Sequence, residues 1–357
     1  MPVDIQPANI PVILLYNVDP DWTQNEKDEV ITLTQELSCA LVGMGHPLVL
    51  VAVTEDDLGS LLDSFDPSEY ILFNWCEGLP GLAHSEWLAA KRLEMLGFTF
   101  TGADSETLAL AQDKFKVKLL LDQAGIPTPA WHIYHTPDPL EWNRFPAIVK
   151  PMNEHCSAGI TPDAVVLNAA ELASRIAFVL RTYKQPALVE EFIDGREFHV
   201  SVWGNETLTV LPPAEMDFSF FQNVRDRLCT YDAKFIPGSE HYEKIQTLLP
   251  APLTGDESRA LDDACQNAYR AIGCRDYARM DIRLRDGVFY VLDVNPNADI
   301  SSDASMACAA EAAGLSYGQM GSLIVRMAAR RHPLFGKARK IARRRKKESA
   351  SRVESLD

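Results

Sequence analysis

The stretch ARMDIRLRDGVFYVLDVNPN, residues 278–297, contains two runs of alternating apolar residues separated by the dipeptide Asp286-Gly287. Alternation on both sides of a turn dipeptide predicts a β-hairpin. Every second side chain of a strand projects from the same face, so the polar residues of this hairpin are expected to gather on one side. The apolar residues would then cover a core on the other side.

Three oxygen-bearing side chains fall toward the open end of this hairpin. Asp281 lies in the first strand, and Asp293 and Asn295 end the second strand, two residues apart and so on one face. Oxygen ligands of this kind suit a hard cation such as Mg²⁺, and we therefore predict Asp281, Asp293 and Asn295 as metal ligands. Arg279 lies two residues before Asp281 and shares its face.

The metal prediction depends on the register of the hairpin. A two-residue loop, Asp286-Gly287, would pair Asp281 with Leu292 and place the Asp281 and Asp293 carboxylates on opposite faces. A loop that also includes Val288 pairs Asp281 with Asp293. Only this longer loop builds a metal site, and we predict it. An edge hairpin with solvated acids is the alternative that the hairpin alone would favour.

The rest of the chain carries further signals, which resemble the ATP-grasp superfamily and in particular its D-alanine:D-alanine ligase branch. The matching segments follow one another in the family's order from Asp113 to Gly314, and the last segment ends at Tyr317. They are DKFKVKLLLDQAGIPTP, FPAIVKP, VEEFIDGREF, TYDAKF, ARMDIRL, YVLDVNPN and AAEAAGLSY. The resemblance implies the α/β class, with α+β structure in the ATP site: an ATP-grasp fold with an N-terminal open α/β domain and two α+β subdomains that clasp ATP.

The predicted domain boundaries follow from these motifs and from the turn residues that separate strands and helices. Short apolar runs at 11–17, 47–53 and 70–75 alternate with helical patterns at 29–41 and 85–96, which indicates an open α/β unit. Ligands of such sheets bind beyond the carboxyl ends of the strands, which makes Glu77 a candidate substrate-pocket residue, although a surface acid is equally consistent. The predicted domains are 1–103, 104–188, 189–330 and a basic tail at 331–357.

Two local predictions concern segments that surround the expected ATP site. One helix is predicted from Ser105 or Thr107 through DKFKVKLLLDQA to Gly125. The segment TYDAKF is predicted to continue the sheet of the C-terminal subdomain.

The resemblance implies a role for each matching residue of the ATP site. Lys114, Lys150 and Lys234 would bind the nucleotide phosphates, and a lysine such as Lys150 that closes a buried strand needs a charged partner in any case. Ser157 belongs to the small-residue loop MNEHCSAGI, which would close over the triphosphate. Arg279, Lys234 and Ser157 are the predicted catalytic residues.

The base and the sugar of the nucleotide are assigned by the same resemblance. Glu190 would accept from the adenine amino group, the backbones of Glu191 and Ile193 would frame the ring, and Glu197 would bind the ribose hydroxyls. A carboxylate accepts from N–H and O–H donors, so acids are chemically suited to a purine and a ribose.

The implied activity is an ATP-dependent carboxylate–amine ligase that forms an amide or peptide bond through an acyl phosphate. Its cofactors would be ATP and one or two Mg²⁺ ions, with Mn²⁺ as a substitute, and its substrates a small carboxylate and an amine. The resemblance also allows a homodimer. The competing hypothesis is a regulatory protein that binds ATP and docks on an anionic partner through its tail.

Several departures from the family's pattern concern the amino-acid substrates. The segment NVDPDWTQNEKDE has no match to the family's N-terminal glycine/serine/glutamate motif. The oxyanion-loop glycine is Asp299 here, and the serine that grips the second D-alanine is Ala304, followed by Ser305. A tyrosine of the flexible loop is Phe235. The resemblance therefore implies the same activation chemistry on substrates other than two D-alanines.

Composition and charge limit the remaining possibilities. A chain of 357 residues with 46% hydrophobic content can bury a sizeable core in two or three compact units. Its seven cysteines are scattered without a C-x-x-C pair, as expected for free thiols in a reducing cytoplasm. Neither a signal peptide nor an apolar stretch of the roughly 18 residues that a membrane span requires is evident, so a cytoplasmic protein is predicted.

The formal net charge of −16 is distributed unevenly, because residues 326–357 contain 12 Lys and Arg against three acids. An acidic body repels nucleic acid, and nucleic-acid binding is therefore not expected. The tail sequence GKARKIARRRKK is predicted to be a solvated helical extension, with attraction to an anionic surface as the alternative.

Overall fold

The structure is a computed structural model and describes residues 9–138, 142–154 and 159–336, apart from the side chains of Lys234 and Phe235. The strands in these ranges are β1 (Val12–Asn17), β2 (Leu48–Val53), β3 (Ile71–Trp75), β4 (Thr99–Phe100), β5 (Trp131–Tyr134), β6 (Ala147–Pro151), β7 (Val165–Val166), β8 (Ala187–Glu191), β9 (Arg196–Gly204), β10 (Leu208–Val210), β11 (Ala214–Asp217), β12 (Gln246–Leu248), β13 (Asp276–Arg285) and β14 (Val288–Asn295).

The helices in the same ranges are α1 (Gln24–Gly43), α2 (Leu58–Leu62), α3 (Glu86–Met95), α4 (Ser105–Ala111), α5 (Lys114–Gln123), α6 (Ala169–Thr182), α7 (Tyr231–Phe235), α8 (Glu240–Lys244), α9 (Gly255–Ile272), α10 (Ser305–Ala312) and α11 (Tyr317–Ala329). None of the helices in these ranges is both long enough and apolar enough to cross a membrane. All six cysteines that the structure describes are free thiols.

The described chain divides into two compact units, of which the first comprises residues 9–106, 204–206 and 300–336. Its sheet has the order β2-β1-β3-β4 with parallel pairing throughout, and Val12 to Leu15 of the central strand β1 are fully buried. This confirms the predicted open α/β sheet, whose central strands β1 and β3 contain continuous apolar runs because both of their faces are covered. The Asn17 side chain accepts a hydrogen bond of 3.1 Å from the Glu77 N–H, so the carboxyl ends of β1 and β3 meet.

The first unit also contains the start of the segment predicted as a solvated tail. His332 is only 2% exposed, and its Nδ1 accepts hydrogen bonds from the N–H groups of Leu334 and Phe335. Residues 332–336 therefore form a packed turn. Residues 337–357, with most of the basic charge, lie outside the described residues.

The described part of the second unit comprises residues 107–138, 142–154, 159–203 and 207–299 and contains two sheets. The smaller sheet has the order β5-β8-β6-β7, and α6 packs on it through Leu172, Ile176 and Val179. The larger sheet has the order β12-β11-β9-β13-β14, with β10 on β9, and α9 covers its apolar face. Two antiparallel sheets, each with a helix on one face, are the predicted α+β arrangement of the ATP site.

The single helix predicted after Ser105 is wrong, since α4 ends at Ala111 and α5 begins at Lys114. The Asp113 side chain accepts a hydrogen bond from the Lys116 N–H, which caps a new helix where a continuous one was expected. The predicted strand at TYDAKF is also wrong. The Thr230 hydroxyl caps α7 by accepting from the Ala233 N–H at 3.1 Å, so the segment starts a short helix.

The hairpin predicted at residues 278–297 is confirmed as β13 and β14, but its loop differs from the prediction. Arg285 pairs with Val288, so the loop has only the two residues Asp286 and Gly287. Both have positive φ, 53° and 77°, as a tight hairpin turn between twisted strands requires. The predicted three-residue loop is therefore wrong.

A β-bulge at Leu292 supplies the change of register that the loop does not. Ile282 pairs with Val291 but Asp281 pairs with Asp293, so Leu292 is an extra residue on β14. Without the bulge, Asp293 would lie opposite Met280, which is fully buried, and a carboxylate would enter the core.

A three-residue loop would fail for the opposite reason. It would turn Phe289 and Val291 outward, and it would direct the hydroxyl of Tyr290 into the core. The bulge instead keeps Phe289, Val291 and Val294 buried on the core face, 4%, 0% and 1% exposed. The apolar residues of both strands therefore select a two-residue turn followed by a bulge.

Gly195, in the link between β8 and β9, approaches β13 so closely that no side chain fits. A Cβ at this position would lie 2.1 Å from the Leu284 carbonyl oxygen. We expect Gly195→Ala to lower the free energy of unfolding by about 1–3 kcal/mol, because backbone must move to relieve the overlap. Thermal unfolding followed by circular dichroism measures the effect.

The matched control is Gly43→Ala in the last turn of α1, where a Cβ meets nothing within 4 Å. Helix propensity favours alanine over glycine, so this variant should be neutral or slightly stabilised. Equal melting temperatures for the two variants would show that the β8–β9 link has room to adapt.

Candidate active site

The face of the hairpin opposite the core gathers the residues predicted from the sequence. Asp281 lies directly across from Asp293, and Arg279 lies directly across from Asn295. Cross-strand partners share a face and have neighbouring side chains, so all four residues point to the same side. This confirms the prediction that the two carboxylates face each other across the hairpin.

Arg279 holds the first of these carboxylates in a two-pronged ion pair. Its Nε and Nη2 donate to the two oxygens of Asp281 at 2.8 and 3.1 Å. Burial alone would lower the pKa of Arg279, but Asp281 and Asp293 outweigh it and leave the pKa above its ordinary value. The guanidinium therefore stays charged beside the two acids, and Asp281 has a fixed orientation.

The donor set on this face fits a hard divalent cation. Two carboxylates and one carboxamide provide oxygen ligands, and the Val294 N–H occupies only one oxygen of Asp293. The buried Nδ2 atom of Asn295 has no hydrogen-bond partner in the described residues, so the amide can present its oxygen without breaking a bond made by its nitrogen.

A second cluster in the described residues has less capacity for a cation. Ligand atoms of Glu197, His199 and Cys229 lie within 4.8 Å of one another. An arginine binds a carboxylate at both places, Arg283 at Glu197 and Arg279 at Asp281. The cluster offers one carboxylate beside an imidazole and a thiol, which suit softer metals, so the all-oxygen hairpin face is the better site for a hard cation.

Two of the predicted phosphate lysines interact electrostatically with Asp293. Burial lowers the pKa of Lys114, against the opposing effect of Asp293, and its Nζ donates to the Glu154 carbonyl oxygen. Burial also disfavours the charged form of Lys150, but Glu190 and Asp293 raise its pKa above the ordinary value. The structure thus brings Lys114 and Lys150 together with Asp293.

Glu190 is a buried anion that pairs with Lys150 and with a third lysine, Lys118. It is 1% exposed and lies 2.6 Å from the Lys150 Nζ and 2.5 Å from the Lys118 Nζ. Burial would raise the pKa of Glu190, but the two lysines lower it to about 2. The predicted adenine contact has to share this carboxylate with both lysines, although each oxygen retains a further lone pair.

Backbone groups around the predicted adenine site are partly engaged. The Glu191 N–H donates to the Ala130 carbonyl at 2.8 Å, and the Ile193 carbonyl accepts from Arg283 at 2.8 Å. Contacts from these residues to an adenine ring would therefore use the Glu191 carbonyl and the Ile193 N–H. The Glu191 side chain points away to Arg144 and Arg285.

Glu197, the predicted ribose ligand, is held in its ionised form. Burial would raise the pKa of this carboxyl group, but Arg283 and His199 lower it to about 2. Arg283 is itself 3% exposed and lies 4.4 Å from the Phe192 ring centroid. Arg283 was not predicted as a site residue. It alternates with Arg279 and Asp281 on β13 and therefore lies on the same face of the hairpin as these two residues.

Ser157 and the side chain of Lys234 lie outside the described residues, so their predicted roles stay predictions. The same applies to Phe235 as a replacement for the tyrosine of the flexible loop. The backbone of Lys234 lies in α7.

Two antiparallel sheets, each packed against a helix, define the ATP-grasp class of fold when they carry lysines and acids in this arrangement. A solved structure supports this class: the D-alanine–D-alanine ligase of Bacillus anthracis in complex with ATP superimposes with a TM-score of 0.68 and covers 90% of this chain and 98% of that chain. Its sequence identity of 20% supports a common fold only.

The family follows from the sequence comparisons. Residues 120–326 match the family described as D-ala D-ala ligase C-terminus. The chain is 33% identical to the uncharacterized protein y4sG of Sinorhizobium fredii over 322 residues, 87% of this chain and 90% of that protein. It is 35% identical to a D-alanine–D-alanine ligase of a Marinomonas species over 234 residues, 64% of this chain and 68% of that enzyme. The chain belongs to the D-alanine–D-alanine ligase family.

Proposed function

We propose that the protein is an ATP-dependent ligase that joins a carboxylate to an amine, through an acyl phosphate, and releases ADP and phosphate. The observation that carries the proposal is the pairing of Asp281 with Asp293 across the bulged hairpin, beside Arg279 and near two partly buried lysines, Lys114 and Lys150. Phosphoryl transfer needs charge neutralisation and positioning more than it needs a protein nucleophile. The set of groups on this face matches that need.

Each group has a definite part in this chemistry. Lys114 and Lys150 bind the triphosphate oxygens as cations. Asp281, Asp293 and Asn295 hold Mg²⁺, which when bound neutralises charge between the phosphates. Arg279, fixed by its ion pair with Asp281, stabilises the transferred phosphoryl group and then the oxyanion of the tetrahedral intermediate.

The substrates are proposed to differ from two D-alanines because the family's substrate-binding residues are replaced. Ala304 stands where the family has a serine, and as the N-cap of α10 it makes no side-chain hydrogen bond to that helix. Asp299 stands where the family has the oxyanion-loop glycine. A hydroxyl donor and a close backbone approach are both lost, while the ATP-site motifs are retained.

The bond of ATP that is cut tests this proposal. Full-length protein is incubated with Mg²⁺, ATP and a panel of amino acids and small carboxylates, and the nucleotides are separated by chromatography. ADP and phosphate are the expected products. Hydroxylamine should trap a hydroxamate with the correct acid, because it intercepts an acyl phosphate. AMP and pyrophosphate as the dominant products would overturn the mechanism, and bound but unconsumed ATP across the panel would count against a ligase.

A further inference from the structure

The bulge at Leu292 is the feature on which the metal site depends, and the turn does not produce it. The two-residue loop alone would direct Asp293 into the core, opposite Met280. A bulge leaves the extra residue outside the regular ladder, so its backbone groups need other partners. Whatever satisfies those groups holds Asp293 in place.

Lys118 of α5 and Thr128 supply the missing donors. The Lys118 Nζ donates to the Leu292 carbonyl at 3.0 Å and to the Thr128 hydroxyl at 2.7 Å. The Thr128 hydroxyl donates in turn to the Val291 carbonyl at 2.8 Å, and the Val291 N–H donates to the Pro127 carbonyl at 2.8 Å. The carbonyl groups of Val291 and Leu292 therefore both accept hydrogen bonds from donors outside the sheet.

The lysine that does this is one of the most deeply buried side chains of the protein. Lys118 is 2% exposed, and Val117 and Leu121 of the same helix belong to the core of the larger sheet. Burial lowers its pKa, and the Glu190 carboxylate 2.5 Å away compensates its charge. An apolar side chain would avoid the desolvation cost but could not donate to the Leu292 carbonyl. The hydrogen bonds that Lys118 donates therefore explain why a residue with a high desolvation cost occupies this position.

The geometry points to Lys118 as a positioning residue for the metal site: it fixes the β-bulge at Leu292 and thereby places Asp293 opposite Asp281. It acts through the backbone and is not itself a predicted ligand of ATP or metal. The inference rests on the proposed function, because it treats the hairpin acids as the ligands of a divalent cation.

The test measures Mn²⁺ binding to the full-length protein by electron paramagnetic resonance, without substrate turnover. Lys118→Met removes the ammonium at similar volume, and it should weaken Mn²⁺ binding by about 10–100-fold, as loss of groups that orient metal ligands does. Thr128→Val removes one anchor and keeps all charges, so it should weaken binding by roughly fivefold. Lys116→Met, on the exposed side of the same helix, should leave binding unchanged.

The Asp293→Asn variant tests the metal site separately from the positioning role of Lys118. If wild-type protein has no Mn²⁺ site that Asp293→Asn weakens, the proposed function fails and this inference fails with it. If Asp293→Asn strongly weakens Mn²⁺ binding but Thr128→Val and Lys118→Met keep wild-type affinity, the inference alone is overturned. Should Lys118→Met not fold, Thr128→Val decides by itself, since its charges are unchanged.

A double variant separates positioning from a general structural effect. Lys118→Met should not weaken the residual Mn²⁺ binding of Asp293→Asn further, because the bulge acts on the metal only through Asp293. Additive losses in the double variant would contradict that route. Binding of a non-hydrolysable ATP analogue without metal should change much less than Mn²⁺ binding, whereas equal losses would indicate that Lys118 acts through Glu190 and the nucleotide.

Discussion

Asp293→Asn is expected to reduce kcat by about 10³-fold, equivalent to about 4 kcal/mol of transition-state stabilisation, while the protein remains folded. Asparagine has nearly the same volume, and its oxygen can still accept the Val294 N–H that Asp293 accepts at 3.0 Å. What it lacks is the negative charge that balances a divalent cation and the nearby cations Arg279, Lys114 and Lys150. Steady-state turnover of ATP with the identified acid and amine measures the loss.

The control for this variant is Asp286→Asn, in the turn of the same hairpin. The Asp286 side chain is 95% exposed, and asparagine tolerates its positive φ of 53° equally well. Turnover and melting temperature should both stay at the wild-type level. Activity of Asp293→Asn within a few fold of wild type would mean that the acids of the hairpin hold no catalytic metal.

The pairing of Asp281 with Asp293 was predicted for a reason that the structure corrects. A three-residue loop is required only if the loop alone determines the register of the hairpin. The apolar residues contain the missing signal, because Phe289 and Val291 occupy odd positions while Val294 occupies an even one. A change of parity within one strand indicates a bulge, and β13 keeps its apolar residues at even positions from Ala278 to Leu284.

The roles of Lys118 and Arg283 were not predicted because their ion-pair partners are distant in the sequence. Lys114 and Lys118 are four residues apart and thus share a helix face, and Lys118 also lies three residues before the buried Leu121. The sequence therefore contained a sign that Lys118 faces the core. Its partners Glu190 and Leu292 lie far along the chain, and no local pattern specifies such contacts. Strands and helices were predicted from periodicity, whereas the ion-pair network depends on the tertiary fold.

Glu190→Gln is expected to destabilise the protein by about 3–5 kcal/mol, the largest stability effect among the variants considered, because it leaves two buried lysines without their shared anion. The carboxylate is 1% exposed and lies 2.5 and 2.6 Å from the ammonium groups of Lys118 and Lys150. Urea unfolding measures the change. The control is Glu191→Gln on the same strand, where the partners Arg144 and Arg285 are 61% and 31% exposed, and its cost should stay below about 1 kcal/mol.

The pH dependence of this difference identifies the ionised carboxylate as its source. The folded pKa of Glu190, about 2, lies below the ordinary value of 4.5, so its contribution is complete above pH 4.5 and is lost as pH falls toward 2. The stability gap between wild type and Glu190→Gln should therefore be largest near neutral pH and should narrow below the ordinary carboxyl pKa. A gap that is constant across this range would show that glutamine disturbs packing, and that the ion pairs with Lys118 and Lys150 add nothing to the stability of the site.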